Sequence, residues 1–267
     1  MVPSEQRIDS QKSMESNPIF GFPKGSHAGN FFHDLLEHLD YTSCSVDALK
    51  QSIQRMLSTY GFDSDWQPVI AQAISHVLNV SLKADQPELT LSSISVKDRI
   101  NEMEFYFPLN PIGPQTLCSI FRRYGDIENI GNFPVLMEKL VFSPAAGFMK
   151  GYIDLVFQHE KRFYLVDWKS NYLGPAIDSY RTQAIRQTMQ ESYYILQYHL
   201  YVLALWQYLR QRHPGFRPES DFGGVFYLFI RGVDSTRGSQ FGIYDDCPQP
   251  SLINALGKAL IPNFTEI

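Results

Sequence analysis

Asp154, Asp167 and Lys169 share one short stretch, residues 151–171 (GYIDLVFQHEKRFYLVDWKSN), in which most other positions are apolar or aromatic. His159-Glu160-Lys161 interrupts that stretch as a polar turn, so it reads as two strands of a hairpin. A hairpin symmetric about the Glu160–Lys161 bond sets Phe157 opposite Tyr164, Val156 opposite Leu165 and Asp154 opposite Asp167. Strand alternation puts Asp167 and Lys169 on one face and Trp168 on the other. Two facing carboxylates in apolar strands repel each other, and a divalent cation is the simplest offset. Mg²⁺ suits such a site, because it takes oxygen ligands from one or two carboxylates and leaves room for water and a phosphate. The neighbouring lysine then supports charge developing on that phosphate, so the arrangement fits metal-assisted hydrolysis of a phosphodiester. A lone D-x-K at a strand end is usually a solvated surface feature. The second aspartate, placed across from it, lifts this one above that reading.

The elements that must position these groups follow from periodicity. Residues 1–25 are polar, rich in Ser, Gln, Pro and Gly, and read as a flexible tail or linker, leaving residues 26–267 as the folded domain. Helical spacing of Phe31, Phe32, Leu35, Leu36 and Leu39 predicts a helix over 30–39. A second begins near Ser45, and a third is capped by Asp65, with Val69, Ile70, Ala73, Ile74, Val77 and Leu78 on one face. Strands are predicted at 103–109, 149–157 and 162–168. Helix returns over about 179–212, broken near Glu191, and a buried strand at 224–230 and a closing helix at 250–260 follow. A mainly helical segment followed by a hairpin, helices and another strand predicts an α/β domain whose central mixed sheet is flanked by helices.

Composition bounds the rest. Of the 267 residues 44% are hydrophobic and 14% aromatic, which suffices for a packed core and argues against disorder. No run approaches the ~20 apolar residues of a membrane span, and the first residues lack a secretory apolar core. Cys44, Cys118 and Cys247 match no zinc or disulfide spacing, so a reducing, cytoplasmic setting is expected. The net charge of −5 gives no general affinity for nucleic acid. Arg210, Arg212 and Arg217 form a weak basic patch that reads first as a solvated loop after a helix.

The blocks GNFFHDLLEHLDY, NEMEFYFPL, GYIDLVFQHEKRFYLVDWKSNYLG, LQYHLYVLALWQYLR and FGGVFYLFIRGVD, in that order, resemble the nuclease domain of the exodeoxyribonuclease V beta (RecB) family. That family lies within the restriction-endonuclease-like D…(D/E)xK superfamily, and the resemblance spans about residues 20–245. It implies a nuclease fold with Asp154 and Asp167 as metal ligands, Lys169 as the catalytic lysine, and His33 of the G-x-x-x-H pattern as a further ligand. The Trp168 backbone carbonyl is expected to join them. Without the resemblance His33 reads as an ordinary helix residue. Glu104 fits an acidic position of the family, with Glu102 as the other candidate, and Glu37 either lies beside the ligands or faces solvent. Gln197 and Tyr201 match the family's Q-x-x-x-Y motif, which shapes the site or contacts DNA; on spacing alone they fall at the edge of a core stripe with Tyr194 and Leu205. The implied activity is Mg²⁺-dependent hydrolysis of single- and double-stranded DNA during double-strand break repair and recombination. Helicase and scaffold subunits of a RecBCD-type complex and a recombinase are the implied partners. No G-x-x-x-x-G-K-[ST] occurs, so ATP-driven unwinding is not expected of these residues.

Two other readings compete. A non-catalytic remnant would serve as a protein-docking or DNA-guiding module, but such remnants usually lose the aspartates or lysine kept here. Hydrolysis of a small phosphorylated substrate would use the same ions, and no Gly-rich phosphate loop supports it.

Overall fold

The computed structural model describes residues 18–42, 45–142 and 146–267. The first helices follow the apolar periodicity. Helix α1 (Ser26–His38) buries Phe31, Phe32, Leu35 and Leu36. Helix α2 (Val46–Tyr60) is capped by the Ser45 side chain accepting from the Ala48 N–H and ends at Gly61 in the left-handed region. Helix α3 (Gln67–Asn79) buries Ile70, Ala73, Ile74, Val77 and Leu78. Asp65 does not cap it; Asp63 caps a short 3₁₀ turn, Ser64–Trp66, by accepting from the Asp65 N–H.

Five strands among the described residues form one mixed sheet in chain order. Strand β1 (Arg99–Leu109) pairs antiparallel with β2 (Gly147–His159), and β2 pairs antiparallel with β3 (Arg162–Lys169). Strand β4 (Phe222–Phe229) lies parallel to β3, and β5 (Ile243–Asp246) closes the far edge antiparallel to β4. The sheet is mixed as expected. All of β4 is buried, the signature of a central strand covered on both faces. Between β1 and β2 run three helices with no counterpart among the predicted elements: α4 (Pro114–Tyr124), α5 (Ile127–Ile130) and α6 (Phe133–Met137). The predicted break near Glu191 is real. Helix α7 (Thr182–Glu191) ends there, and Tyr193, at φ 57°, turns the chain into α8 (Tyr194–Arg212). The short α9 (Pro218–Asp221) leads into β4, and α10 (Pro250–Leu260) packs against α4 and α8.

The folded chain begins earlier than residue 26. Residues 1–17 of the expected tail lie outside the described residues, but Ile19, Phe20 and Phe22 are buried in the core. Arg231, itself fully buried just after β4, secures this segment. Its guanidinium donates to the carbonyls of Ile19 (2.9 Å), Phe22 (3.0 Å), Pro23 and, through Nε, Ser170 (2.9 Å). One side chain thus joins the approach to α1, the end of β3 and the end of β4. Arg231→Met should leave those carbonyls unsatisfied and destabilise the fold by about 3 kcal/mol, read as a lower urea midpoint with an unchanged slope. An unchanged midpoint would mean the clamp carries no net stability.

Candidate metal centre

The hairpin that places the two aspartates has the expected register. Glu160 and Lys161 both adopt left-handed backbone, making a two-residue turn, and the pairs run from His159 with Arg162 to Leu155 with Val166. The next pair in register is Asp154 and Asp167, and there the ladder stops. Instead the Trp168 N–H donates to Asp154 Oδ2 at 2.8 Å. On the other side of β2, Asn101 pairs with Leu155 and Met103 with Ile153, which puts Glu102 across from Asp154. Glu102 has φ 50° and does not pair. Three carboxylates therefore stand in register on three adjacent strands, and both ladders open where they meet.

Helix α1 supplies the next group. His33 Nδ1 lies 3.2 Å from Asp154 Oδ1, and ligand atoms of His33, Glu102 and Asp154 all fall within 4.8 Å of one another. Gly29, one turn earlier, lets α1 approach the end of β3: a Cβ there would sit 3.3 Å from Ser170 Oγ. The Arg231 clamp fixes that same Ser170 through its carbonyl. Burial lowers the affinity of the His33 imidazole for a proton, but the Asp154 and Asp167 carboxylates outweigh this and its pKa lies above the ordinary histidine value. Glu102 is raised by burial and by Glu37 and Asp154. Asp167 is raised most: burial drives it and Asp154 adds, while Lys169 opposes.

Lys169 is held from several directions. Its Nζ lies 2.5 Å from Asp167 Oδ2 and donates to Gln197 Oε1 at 3.1 Å. It also sits 4.1 Å from the Tyr194 ring centroid and 5.0 Å from that of Tyr227. Gln197 Oε1 accepts a second bond from the Tyr227 hydroxyl at 3.0 Å, and its Nε2 donates to the Tyr201 hydroxyl at 2.8 Å. The glutamine amide is thus fixed in orientation and aims the amine at Asp167, and Tyr201 supports it from one turn along α8.

The donor set fits a divalent cation. Asp167 Oδ2 is buried with the Lys169 amine as its counter-charge, and it neighbours a ring of one imidazole and two carboxylates. The N–H and carbonyl of one residue leave an extended strand on the same edge, so the Trp168 carbonyl is directed toward β2 together with its N–H. Of the two acidic candidates on β1, Glu102 enters the cluster and Glu104 does not. Glu104 is about half exposed and pairs with Lys150 at 3.0 Å. The signal that would have separated them is conformational, since the left-handed residue in β1 is not visible as a composition or period. Glu37 lies near enough to raise Glu102 but is not among the clustered ligand atoms. Arg210 of the weak basic patch is engaged elsewhere, with the carbonyls of Thr265 and Glu266. Cys118 and Cys247 are free, and Cys44 lies outside the described residues.

Residues 15–245 match the family described as the PD-(D/E)XK nuclease superfamily, and the chain belongs to that superfamily. It is also similar to proteins named RecBCD enzyme subunit RecB. It is 42% identical to that of Escherichia coli (strain K12) over 233 residues, covering 87% of this chain and 19% of the relative. The Haemophilus influenzae protein is 33% identical over 251 residues, 91% of this chain and 19% of the relative. That of Mycobacterium tuberculosis (strain ATCC 25618 / H37Rv) is 29% identical over 268 residues, 92% of this chain and 24% of the relative. The chain spans about a fifth to a quarter of the length of these relatives. Members of this superfamily generally depend on a divalent metal, and the acidic cluster is in keeping with that.

Two outcomes follow for metal binding measured by calorimetry. Glu102→Gln should weaken it by about tenfold or more, whereas Glu104→Gln should leave it unchanged; the reverse order would restore Glu104 as the ligand. Because His33 and Asp167 hold protons more tightly than usual, metal must displace protons near neutrality. Binding should therefore strengthen as pH rises through these raised values, with a heat that varies with the ionisation enthalpy of the buffer. A heat independent of buffer would sink this reading.

Proposed function

We propose that this member of the PD-(D/E)XK superfamily is a Mg²⁺-dependent deoxyribonuclease that hydrolyses phosphodiester bonds in single- and double-stranded DNA. It acts as the nuclease module of a RecBCD-type exodeoxyribonuclease V in double-strand break repair and recombination. One observation carries this reading: the convergence of His33, Glu102, Asp154 and Asp167 beside a lysine whose amine is fixed by Gln197.

The donors that would hold the ion lie among His33, Glu102, Asp154, Asp167 and the Trp168 carbonyl, with water and the scissile phosphate taking the positions they leave. When bound, Mg²⁺ supplies a Lewis acid for the scissile phosphate and lowers the pKa of a bound water. Asp167 lies deepest and gives the negative charge that both the ion and Lys169 compensate. The Lys169 amine is left with one cationic task, to stabilise charge that develops on the phosphate oxygens. Gln197, Tyr201 and Tyr227 hold it in place without reorganisation during the reaction. The Trp168 N–H keeps the Asp154 carboxylate from turning away.

The relatives carry names of a complex, and their greater length leaves room for other functions. Helicase and scaffold subunits are the proposed partners, with a recombinase as a further one and a cytoplasmic setting. No helix among the described residues is long and apolar enough to cross a membrane.

Linear DNA incubated with the chain and Mg²⁺ should be degraded, and EDTA should abolish this. Asp167→Ala and Lys169→Ala should each lower the rate by about a thousandfold, comparable to removing a principal electrostatic stabiliser. Gln197→Ala should cost less, about ten- to a hundredfold in kcat with little change in KM, because the lysine stays but loses its fixed position. Degradation that persists at the parental rate in Asp167→Ala would refute the assigned centre.

A further inference from the structure

The outer half of the β1–β2 ribbon takes no part in holding the metal centre, yet it exposes large aromatic side chains. Buried and exposed positions alternate along β1: Met103, Phe105 and Phe107 face the core, and Glu104, Tyr106 and Pro108 face solvent. Their partners on β2 are Tyr152, Lys150 and Phe148, in that order. Tyr106 and Phe148 are 60% and 63% exposed, and their rings stack at 4.7 Å with only 8° between planes. Tyr152 is also exposed, with Lys150 Nζ 5.3 Å from its ring centroid.

Core packing does not account for this strip. An edge ribbon ordinarily carries charges on its solvent face, and large exposed rings there invite association. Gly151 shows where the core side ends: a Cβ there would meet the Phe105 ring at 2.5 Å, so that face is filled. The exposed strip begins within two residues of Glu102 and Asp154, at the Glu104–Tyr152 pair, and runs outward to Pro108 and Phe148. At the usual rise per strand residue it extends about 20 Å from the metal centre.

We propose that this strip is a stacking platform for the unpaired bases of single-stranded DNA whose backbone enters the metal centre. The proposal rests on the nuclease reading for the identity of the polymer and adds the surface that holds it. Stacked against each other, Tyr106 and Phe148 each keep an outer π-face for a base, and Tyr152 continues the strip toward the carboxylates. A duplex keeps its bases stacked internally and offers these rings nothing, whereas a single strand offers a π-face at every nucleotide. Lys150 is already neutralised by Glu104 at 3.0 Å, so the strip adds little phosphate attraction. That suits a chain of net charge −5, and it makes the contact one of stacking more than of counterion release.

The test is fluorescence anisotropy of a short fluorescein-labelled oligothymidylate added to the full chain in EDTA, where no cleavage occurs. Tyr106→Ala combined with Phe148→Ala should weaken binding by about tenfold or more, and Tyr106→Phe should retain it. Ile127→Ala and Val141→Ala, at exposed apolar positions elsewhere, should change nothing. Binding by the parent should fall only shallowly with salt, and unchanged thermal unfolding of the variants would exclude misfolding. Parental affinity in the double variant overturns the platform and assigns the strip to a protein partner. Failure of the parent to bind overturns it as well. The nuclease reading is checked separately, by parental hydrolysis of bis(4-nitrophenyl) phosphate with Mg²⁺, so loss of one reading is distinguishable from loss of the other.

Discussion

Glu102, Asp154 and Asp167 stand in register on β1, β2 and β3, the last of them buried, and their mutual repulsion sets the terms for the surrounding structure. A regular sheet would hold these carboxylates at pairing distance. The backbone instead abandons the ladder at that row, with Glu102 in a left-handed conformation and Asp154 taking the Trp168 N–H. The openings cost hydrogen bonds that an undisturbed sheet would make. They leave a cluster of carboxylate oxygens that positive charge stabilises. Lys169 and the raised imidazole of His33 provide that charge, and a divalent cation would take the place of the imidazole's proton.

The compensating groups come from distant parts of the chain. His33 is carried by α1, whose approach is set by the bare Cα of Gly29 and by the Arg231 clamp on residues 19–23 and Ser170. Gln197 and Tyr201 are carried by α8, and Tyr227 by the strand that lies parallel to β3. The metal centre is therefore a product of global folding. Local unfolding of α1 would remove the His33 charge and that of α8 would free the Lys169 amine, so each contact ties the stability of its helix to that of the sheet.

Net acidity and a role on nucleic acid are compatible in this arrangement. The acidic residues at the centre are the ones that would hold a cation, and the nearby exposed surface is aromatic more than basic. Arg210, near the end of α8, holds the carbonyls of Thr265 and Glu266 and is not free for a phosphate groove there. On the proposed nuclease reading, a chain of this charge would draw on its ion and on stacking for tight DNA binding.

Much of this was legible in the residues themselves. A two-residue period and a symmetric polar turn were enough to place Asp154 and Asp167 in register and to separate Lys169 from Trp168, because both rules are local. The Q-x-x-x-Y spacing likewise put Gln197 and Tyr201 on one face of a helix. Other outcomes depended on contacts between segments far apart in the chain. Ile19, Phe20 and Phe22 are apolar but too few, and too interrupted by Pro and Gly, to show a period before Arg231 reaches their carbonyls, and the short β5 strand is likewise too short for one. Glu104 looked as good a ligand as Glu102, since both occupy the same parity on β1. Only the fold, which sets Glu102 across from Asp154 with a left-handed backbone, brings that residue into the cluster and leaves Glu104 paired with Lys150.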